Sequence, residues 1–499
     1  MRRLAAAALG AGLIGAAPAT APVEYRLSPV LSGGRLESLA VEVAFRGDPD
    51  GITDVRLPDR FTGHSGLHVY LAGFSAPGAE VARAAPDLLR LRHAPSASVT
   101  LRYRVTPGRG AGSSVDYRPD IAADGFLLVG ETAFAWPSGR LSGPARARMA
   151  PLPGGWSGAS SLDTARTVED VRESVSVGGA GVRVLNRLAG GAPVQLAFRG
   201  ALTGEKPEDA GVFAGTLARV LEAQRAVSGE PPRPFVGVVQ TLPVREGRYT
   251  REGLGRAEGL LLFLADEAGY GMSHRILAHE AVHTWLPRRV GGLPAGMAEP
   301  GGYWFSEGFA DFVGFRSLVR GEVWSAEAYA SMLNVHLSSD VLAEGQAITN
   351  AQIVAGYGRD AALFQLPYRR GHGLAMLWDD RLRRATGGRL GVEDVLRAMR
   401  ARAGEGRTAD KLFPLVYRQM GGGDLSADIA AHVERGEPVR LPPSLYGGCL
   451  VYSPLRPPRA DEFVTQSGWR FAPGGSAAER DRCAAAVFGP GVRPGRFLS

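Results

Sequence analysis

The sequence predicts a multidomain α+β protein in which an all-β, sandwich-like domain precedes a mainly helical domain. A chain of 499 residues is too long to fold around one ordinary hydrophobic core. Residues 22–204 alternate apolar and polar side chains in short runs, whereas residues 205–440 space their apolar side chains as amphipathic helices do. A hydrophobic content of 45% with 21% charged residues is typical of a globular protein and excludes a fibrous or disordered chain.

Residues 1–19 have the pattern of a secretory signal peptide. Two arginines precede an apolar run from Leu4 to Ala17, and small residues suited to cleavage follow. We expect cleavage after Ala19. The alternative is an N-terminal membrane anchor, but the apolar run is shorter than the ~20 residues that a membrane span requires. The mature chain is therefore expected to be exported, to the periplasm or the medium, without a stable membrane anchor.

The predicted β domain, residues 22–204, consists of short segments that alternate apolar and polar residues or carry β-branched runs. Clusters of Gly, Pro, Asp and Ser separate these segments, as turns between strands do. The clearest strand candidates are LESLAVEVAFRG, GLHVYLAGF, ASVTLRYRV and PVQLAFRG. Their number and spacing favour a sandwich.

The predicted second domain, residues 205–440, combines a small sheet with several helices. Its first helix is predicted over EDAGVFAGTLARVLEAQRAVSG, and RPFVGVVQTLP and AEGLLLFLAD resemble strands. Helical spacing returns in MSHRILAHEAVHTWL, WFSEGFADFVGFRSLVRG, SAEAYASMLNVHLSS, YRRGHGLAMLWDDRLRRATGG and GVEDVLRAMRARAG, and several of these segments stop at Gly.

Residues 441–499 are predicted to form a tail that is rich in Pro and Gly and poor in secondary structure. The tail contains both cysteines of the chain, Cys449 and Cys483. In an oxidising compartment they could pair and close the tail, or they could remain free thiols. They are too few and too far from the histidines to suggest a metal site.

The net charge of +7 and the isoelectric point near 9.6 do not predict nucleic-acid binding. Most basic residues are arginines scattered among acidic residues along the chain, and no basic patch with interleaved aromatic residues is present.

A metal-binding pattern lies in the stretch HRILAHEAVHTWLP, which contains H-E-x-x-H as His279, Glu280 and His283. Residues four apart project from one face of a helix, so both imidazoles can bind one zinc ion. Glu280 lies beside His279 and could act as a general base. The alternative is a helix with two unrelated histidines, a coincidence with odds of roughly one in a hundred in a chain with nine histidines.

The next helical segment, WFSEGFADFV, supplies a third ligand. Glu307 lies there among aromatic residues, and a carboxylate in such surroundings is costly unless a cation pairs with it. Asp311, one turn later, could accept a hydrogen bond from the far nitrogen of a ligating histidine and fix its tautomer. The alternative for both residues is a surface carboxylate on an amphipathic helix, and it is the stronger for Asp311.

H-E-x-x-H followed by Glu in a W-x-x-E-G-F segment resembles the gluzincin zinc peptidases. HEAVHTW and WFSEGFADF are most similar to the M61 family, the glycyl aminopeptidases, which are related to the M1 aminopeptidases. The resemblance covers residues 24–440 and is most specific around the zinc motif. It implies a thermolysin-like catalytic domain that follows the β domain. M61 proteins often carry a C-terminal PDZ domain, and the residues after 440 are too few for one.

The resemblance also implies roles for two further residues. In both families a Tyr before a basic residue and Gly stabilises the oxyanion, and YRRG puts Tyr368 in that place, with Tyr357 as the competitor. A Gly-rich strand with a Glu holds the free amine of the substrate, and GLGRAEG offers Glu258. The match is imperfect, because Arg256 and Ala257 replace residues expected to be small or apolar.

These residues predict an exported zinc-dependent peptidase. His279, His283 and Glu307 would hold zinc, Glu280 would be the general base and Tyr368 would stabilise the oxyanion. If Glu258 holds the α-ammonium group of a peptide, the enzyme is an aminopeptidase. Two alternatives remain: a zinc endopeptidase on the same scaffold, and a non-catalytic periplasmic binding protein with a relic zinc site.

Overall fold

The computed structural model describes residues 21–108, 115–201, 206, 209–243, 250–265, 273–294, 296–337, 347–453, 468–473, 475–489 and 492. The predicted signal peptide, residues 1–19, lies outside these ranges. The strands are β1 (Val23–Ser32), β2 (Arg35–Arg46), β3 (Ile52–Arg56), β4 (Leu71–Ser75), β5 (Glu80–Ala85), β6 (Leu88–Arg92), β7 (Ser98–Val105), β8 (Asp120–Ala122), β9 (Gly125–Val129), β10 (Trp136–Pro137), β11 (Ala145–Met149), β12 (Ser157–Ser160), β13 (Val175–Gly179), β14 (Val182–Ala189), β15 (Ala192–Arg199), β16 (Phe235–Thr241), β17 (Thr250–Arg256), β18 (Gly259–Ala265), β19 (Ser444–Leu445), β20 (Leu450–Ser453) and β21 (Gly468–Phe471). The helices are α1 (Val168–Arg172), α2 (Asp209–Ser228), α3 (His274–His283), α4 (Tyr303–Arg320), α5 (Ala326–His336), α6 (Asn350–Gly356), α7 (Ala361–Phe364), α8 (Leu366–Ala385), α9 (Val392–Arg400), α10 (Ala409–Gln419), α11 (Ser426–Asp428) and α12 (Ala477–Phe488).

The N-terminal part is a β-sandwich, as the sequence predicts. One sheet has the strand order β11-β1-β2-β7-β4 and the other has the order β10-β3-β6-β5. In β2, Leu39, Val41 and Val43 are fully buried at every second position, and they share one core with Val55 and Leu91 from the other sheet. Alternating apolar residues thus turn one face of each sheet inward. The segment GLHVYLAGF departs from the prediction, because a 3₁₀ turn over Leu67–Tyr70 precedes β4.

A second pair of sheets connects the sandwich to the helical part. One has the order β12-β13-β9-β8, and the other has the order β14-β15-β16-β18-β17, in which β15, β16 and β18 are parallel and β17 is an antiparallel edge. Apolar residues of the two sheets share a core. Helices α2 and α3 cover the opposite face of the second sheet. Because β15 pairs with β14 on one side and with β16 on the other, this sheet joins strands from both sides of residue 204.

The helical part packs around a core of aromatic side chains. Trp304, Phe305 and Phe309 of α4 contact Trp378 of α8 and Phe413 of α10. Among the described residues, every helix is too short or too polar to span a bilayer.

The C-terminal segment contains more regular structure than the sequence predicts. Strands β19, β20 and β21 form a small sheet, and α12 follows with a capping box between Ser476 and Glu479. A disulfide joins Cys449 to Cys483, and Val487 is buried in the core of the helical part. The segment folds because α12 buries an apolar face there, which the high Pro and Gly content obscured.

Candidate metal centre

Helix α3 presents the two histidines of the H-E-x-x-H pattern to a cavity. The helix runs from His274 to His283, and Leu277 and Ala281 anchor it in the core beneath the mixed sheet. His279 and His283 are four residues apart and lie on one face, with ring centroids 4.6 Å from each other. The predicted spacing therefore brings both imidazoles together.

Helix α4 crosses α3 and brings Glu307 to the same point. Glu307 Oε2 lies 3.3 Å from His279 Nε2 and 3.2 Å from His283 Nε2, and the two Nε2 atoms are 3.0 Å apart. Ligands 2.0–2.1 Å from a tetrahedral zinc ion are about 3.3 Å from one another. The three side chains could therefore hold a metal ion in the geometry of a zinc site.

The other hydrogen bonds of the histidines fix which nitrogen faces this point. His279 Nδ1 lies 2.9 Å from Asp311 Oδ1, and His283 Nδ1 lies 3.1 Å from the Leu286 carbonyl oxygen. Both partners are acceptors, so each Nδ1 carries a proton, and Nε2 is the nitrogen of each ring that faces Glu307 and could bind a metal ion. Two imidazole nitrogens and a carboxylate oxygen then face one another. A proton or a metal ion must lie between them, and a donor set of two imidazoles and one carboxylate fits a divalent metal.

The carboxylates around His279 and His283 also favour a cation between the two rings. Burial lowers the pKa of His279, but Asp311 and Glu307 outweigh it and raise this pKa to about 10. Burial likewise opposes a positive charge on His283, and Glu307 raises the pKa of that imidazole. The carboxylates thus create a negative field where the Nε2 atoms meet, and a metal ion would neutralise it.

Asp311 lies behind the first histidine, as its predicted position one turn after Glu307 requires. It is completely buried, and its Oδ2 lies 3.1 Å from His336 Nε2 and 3.5 Å from an Arg275 nitrogen. Burial raises the pKa of this carboxyl, but Arg275, His336 and His279 lower it well below the usual value. Asp311 therefore stays ionised and can orient His279.

Glu280 lies between α3 and the edge strand β17. The Gly255 amide donates a 2.7 Å hydrogen bond to Glu280 Oε2. A Cβ atom at Gly253 would lie 2.4 Å from Glu280 Cγ, and one at Gly255 would lie 2.2 Å from the Glu280 carbonyl oxygen. The two glycines are needed because the strand approaches the helix so closely. Burial raises the pKa of the Glu280 carboxyl, against the opposing effect of the two histidines, and this favours its use as a base.

Tyr368 and its competitor Tyr357 both reach the cavity. Tyr368 stacks on His279 with ring centroids 5.6 Å apart and also contacts Phe364. Burial and the Glu307 carboxylate raise the pKa of Tyr368 well above its usual value. Its hydroxyl group therefore stays protonated as a hydrogen-bond donor. Tyr357 packs against Tyr303, and its hydroxyl group shares a hydrogen bond with that of Tyr368.

Two adjoining cavities meet at these residues. One has a volume of about 580 Å³ and extends past Tyr357 and Phe364. The other has a volume of about 1180 Å³ and extends past Glu131 and Arg288. Glu280, Glu307 and Tyr368 line both. The candidate metal centre thus lies in the middle of a cleft.

Comparison with solved structures agrees with this architecture. An aminopeptidase N family protein from Idiomarina loihiensis has a TM-score of 0.66 and 15% identity, with 84% of this chain and 77% of that chain covered. An M1 zinc metallopeptidase from Deinococcus radiodurans has a TM-score of 0.53 and 17% identity, with 85% and 95% covered. A variant of the latter with a bound Tyr-Ser-Ala substrate has a TM-score of 0.51 and 16% identity, again with 85% and 95% covered. The chain has the two-domain fold of these M1 peptidases. No protein-family model and no curated protein matches the sequence, so the closer resemblance to M61 stays a prediction.

Within this M1-like fold, the structure does not bring Glu258 to the cleft. Glu258 occupies the turn between β17 and β18 with φ of 41°, and it pairs with Arg289 at 2.5 Å and Arg233 at 3.3 Å. Neither cavity includes it among its lining residues. The tight turn directs its carboxylate away from Glu280, so the residue expected to hold an amine is instead bound to two arginines.

Of the other carboxylates that line the cleft, Glu131 and Glu252 have contacts that bear on substrate binding, and the sequence analysis did not single them out. Glu131 comes from the β domain, and its Oε2 atom is buried without a hydrogen-bond partner among the described residues, while Oε1 lies 3.5 Å from Arg256. Glu252 of β17 accepts a 3.3 Å hydrogen bond from Tyr117. The position of Glu252, one residue before Gly253, was a local signal, whereas nothing near Glu131 in the sequence indicated the site.

Proposed function

We propose that the protein is an exported zinc-dependent peptidase that removes N-terminal residues from peptides. The observation that carries this proposal is the convergence of His279 Nε2, His283 Nε2 and Glu307 Oε2 within 3.0–3.3 Å, with Glu280 beside them. The likeness to M1 zinc metallopeptidases supports the same reading at the level of the fold. We further propose a thermolysin-like catalytic domain of the gluzincin type with M61-like features, on the strength of the motifs HEAVHTW and WFSEGFADF.

The residues of the cleft divide the reaction among them. Zinc, when bound, supplies a Lewis acid that polarises the scissile carbonyl and makes water acidic. Glu280 takes a proton from the attacking water and passes it to the leaving amine. Tyr368 donates a hydrogen bond to the oxygen that becomes negative. Asp311 keeps the proton of His279 on Nδ1, so that Nε2 remains a ligand.

Glu131 is our candidate for the group that binds the substrate's α-ammonium. Its free Oε2 atom is a buried acceptor in the cavity that Glu280 and His283 also line. An ammonium group would supply the missing donor, and a charge-assisted hydrogen bond there is worth about 1.5–3 kcal/mol. Glu252 is the competitor, although Tyr117 already donates to it.

Kinetics of Glu131→Gln test this assignment. We expect KM for an aminoacyl amide with a free amine to rise about 10–150-fold, while an N-acetylated peptide is cleaved as before. Glu252→Gln is the matched control and should change KM much less. Equal losses on both substrates, or a larger effect of Glu252→Gln, would contradict the role of Glu131.

An endopeptidase is the second candidate, because the cleft continues on both sides of Glu280 and Tyr368. A longer peptide could then lie across the centre with its amine unbound. Faster cleavage of N-blocked peptides than of free-amine substrates would favour this alternative.

Replacement of Glu280 by Gln tests the chemistry itself. The variant should keep its zinc, because Glu280 is not among the converging ligand atoms, and it should lose about 10²–10⁴ in kcat. Glu299→Gln, another cleft carboxylate, should retain both properties. Near-native turnover by Glu280→Gln would refute the assignment, and a wild-type protein that binds zinc but cleaves no peptide would indicate a binding protein with a relic site.

Export is proposed from the N-terminal pattern alone. N-terminal sequencing of protein recovered from a periplasmic extract or the medium should begin at Thr20. Recovery of the uncleaved chain from a membrane fraction would instead indicate an anchor.

A further inference from the structure

A second cluster of potential metal ligands lies behind the candidate metal centre. It consists of Asp311 on α4, His336 at the end of α5 and His372 on α8. All three are 0–2% exposed, and one ligand atom from each lies within 4.8 Å of the others. The proposed function uses Asp311 as the hydrogen-bond partner of His279, but it uses neither of the other two residues.

Three buried ring nitrogens of this cluster have no hydrogen-bond partner among the described residues. His372 has no hydrogen-bond partner on either ring nitrogen among the described residues. His336 Nε2 lies 3.1 Å from Asp311 Oδ2, but without the geometry of a hydrogen bond. Buried polar atoms without partners are costly. Two imidazoles that face one carboxylate in this way are arranged as ligands rather than as donor and acceptor.

The distances suit a transition-metal ion. The 3.1 Å between His336 Nε2 and Asp311 Oδ2 is close to the edge of about 3.3 Å between two ligands of a tetrahedral zinc ion. The ring centroids of His336 and His372 are 5.1 Å apart.

We propose that Asp311, His336 and His372 form a second, structural site for a divalent transition-metal ion such as zinc. Two imidazoles and one carboxylate favour zinc-like ions over Mg²⁺ or Ca²⁺, which prefer oxygen ligands. The ion would join α4, α5 and α8. It would also hold Asp311 by one oxygen while the other oxygen accepts from His279, so that the carboxylate links the two centres.

Arg275 is the competing cation at this carboxylate. Its guanidinium reaches Asp311 Oδ2 at 3.5 Å, which is long for a hydrogen bond, and its side chain is 32% exposed. It can therefore turn toward solvent, whereas His336 and His372 cannot. The aromatic rings packed against the two histidines belong to Phe312 and Phe315, which carry no hydrogen-bonding group.

Metal content per chain tests the proposal. The mature wild-type protein, loaded with Zn²⁺ and dialysed against metal-free buffer, should contain two equivalents by mass spectrometry. His372→Ala should contain one. His283→Ala should also contain one equivalent, because it loses the ion of the cleft centre and keeps that of the second site. His432→Ala, which removes a half-buried histidine whose Nδ1 lies 3.0 Å from the Glu437 carbonyl oxygen, should keep two.

A kinetic measurement on the wild-type protein avoids reliance on variants that fail to fold. The cleft centre opens to solvent, whereas His336 and His372 are buried, so a chelator should remove one equivalent quickly and the other only as the protein unfolds. Loading with Co²⁺ should likewise give two spectroscopic components, of which His372→Ala lacks one.

One metal ion per chain in both wild type and His372→Ala would overturn the proposal. So would a single chelation phase in the wild type. Both readouts are independent of peptide hydrolysis, so an inactive protein with two metal ions would refute the proposed function and leave this site intact.

Discussion

Removal of one hydroxyl group at a time distinguishes Tyr368 from Tyr357 as the donor to the oxyanion. Tyr368→Phe keeps the ring that stacks on His279 at 5.6 Å, so the candidate metal centre keeps its packing. Tyr357→Phe keeps the ring that packs on Tyr303 and Phe364. Each variant therefore loses a hydrogen-bond donor and little else.

The expected losses in kcat differ by about eightfold or more. If Tyr368 donates to the developing negative charge, its hydroxyl group lowers the activation free energy by about 2.7–4 kcal/mol, and its removal should lower kcat by about 10²–10³. The hydroxyl group of Tyr357 contacts that of Tyr368. Loss of such a neutral hydrogen bond costs about 0.5–1.5 kcal/mol, or about 2–12-fold. We expect Tyr368→Phe to lower kcat and to change KM little.

Steady-state hydrolysis of aminoacyl amides, with zinc content measured on the same samples, distinguishes the two residues. Both variants should bind as much zinc as the wild type. A larger loss of kcat for Tyr357→Phe than for Tyr368→Phe would assign the oxyanion to Tyr357. Loss of zinc from Tyr368→Phe would show that the residue supports the centre rather than the reaction.

Three further predictions concern the scaffold. Gly371→Ala would place a Cβ atom 1.7 Å from the Trp304 carbonyl oxygen, so it should cost at least about 1–3 kcal/mol and reduce kcat, measured by thermal unfolding and hydrolysis. Asp379→Asn would leave the buried Arg316 without one of its charged partners and should cost about 3–5 kcal/mol of unfolding free energy. Burial raises the pKa of Asp379, but its arginines hold this pKa at about 2, so the wild type should lose the stability that this ion pair contributes as the pH falls from about 4 to 2. An Asp379→Asn variant with the same acid sensitivity as the wild type would contradict this. Replacement of Cys449 and Cys483 by Ser opens a 34-residue loop and should cost about 4 kcal/mol, seen as a lower melting temperature that reductant reproduces in the wild type.

The local part of the candidate site could be predicted from the sequence because it follows helix geometry. His279 and His283 share a face because they are four residues apart, and α3 places them as predicted. Glu307 was found from the cost of a carboxylate among aromatic side chains, and it lies at the meeting point of the two histidines. The β-sandwich followed from the alternation in segments such as β2. The helix face and the strand alternation depend on residues close in the chain, and Glu307 was recognised from its own neighbours in the sequence.

The other part depends on turns and on contacts between distant segments. Glu258 lies within the same hairpin as the glycines that approach Glu280, but the turn at φ of 41° directs it to Arg289. A positive φ at a glutamate has no sequence signal. Glu131 reaches the cleft from the β domain, and His336 and His372 meet Asp311 only because three helices pack together. The spacing of apolar residues within a segment does not predict which distant segments contact one another.

The crossing of α4 and α8 explains why the chemistry and the specificity of the cleft can vary independently. A Cβ atom at Gly308 would lie 2.3 Å from Gly371 Cα, so the two backbones touch where the helices cross. Glu307 precedes one glycine and Tyr368 lies three residues before the other, which holds the metal ligand and the oxyanion donor in one rigid unit. Glu131 lies on a different layer, in the β domain. Substitutions at the crossing should therefore act on kcat, whereas substitutions on the β-domain wall should act on KM and on the choice between free and blocked amines.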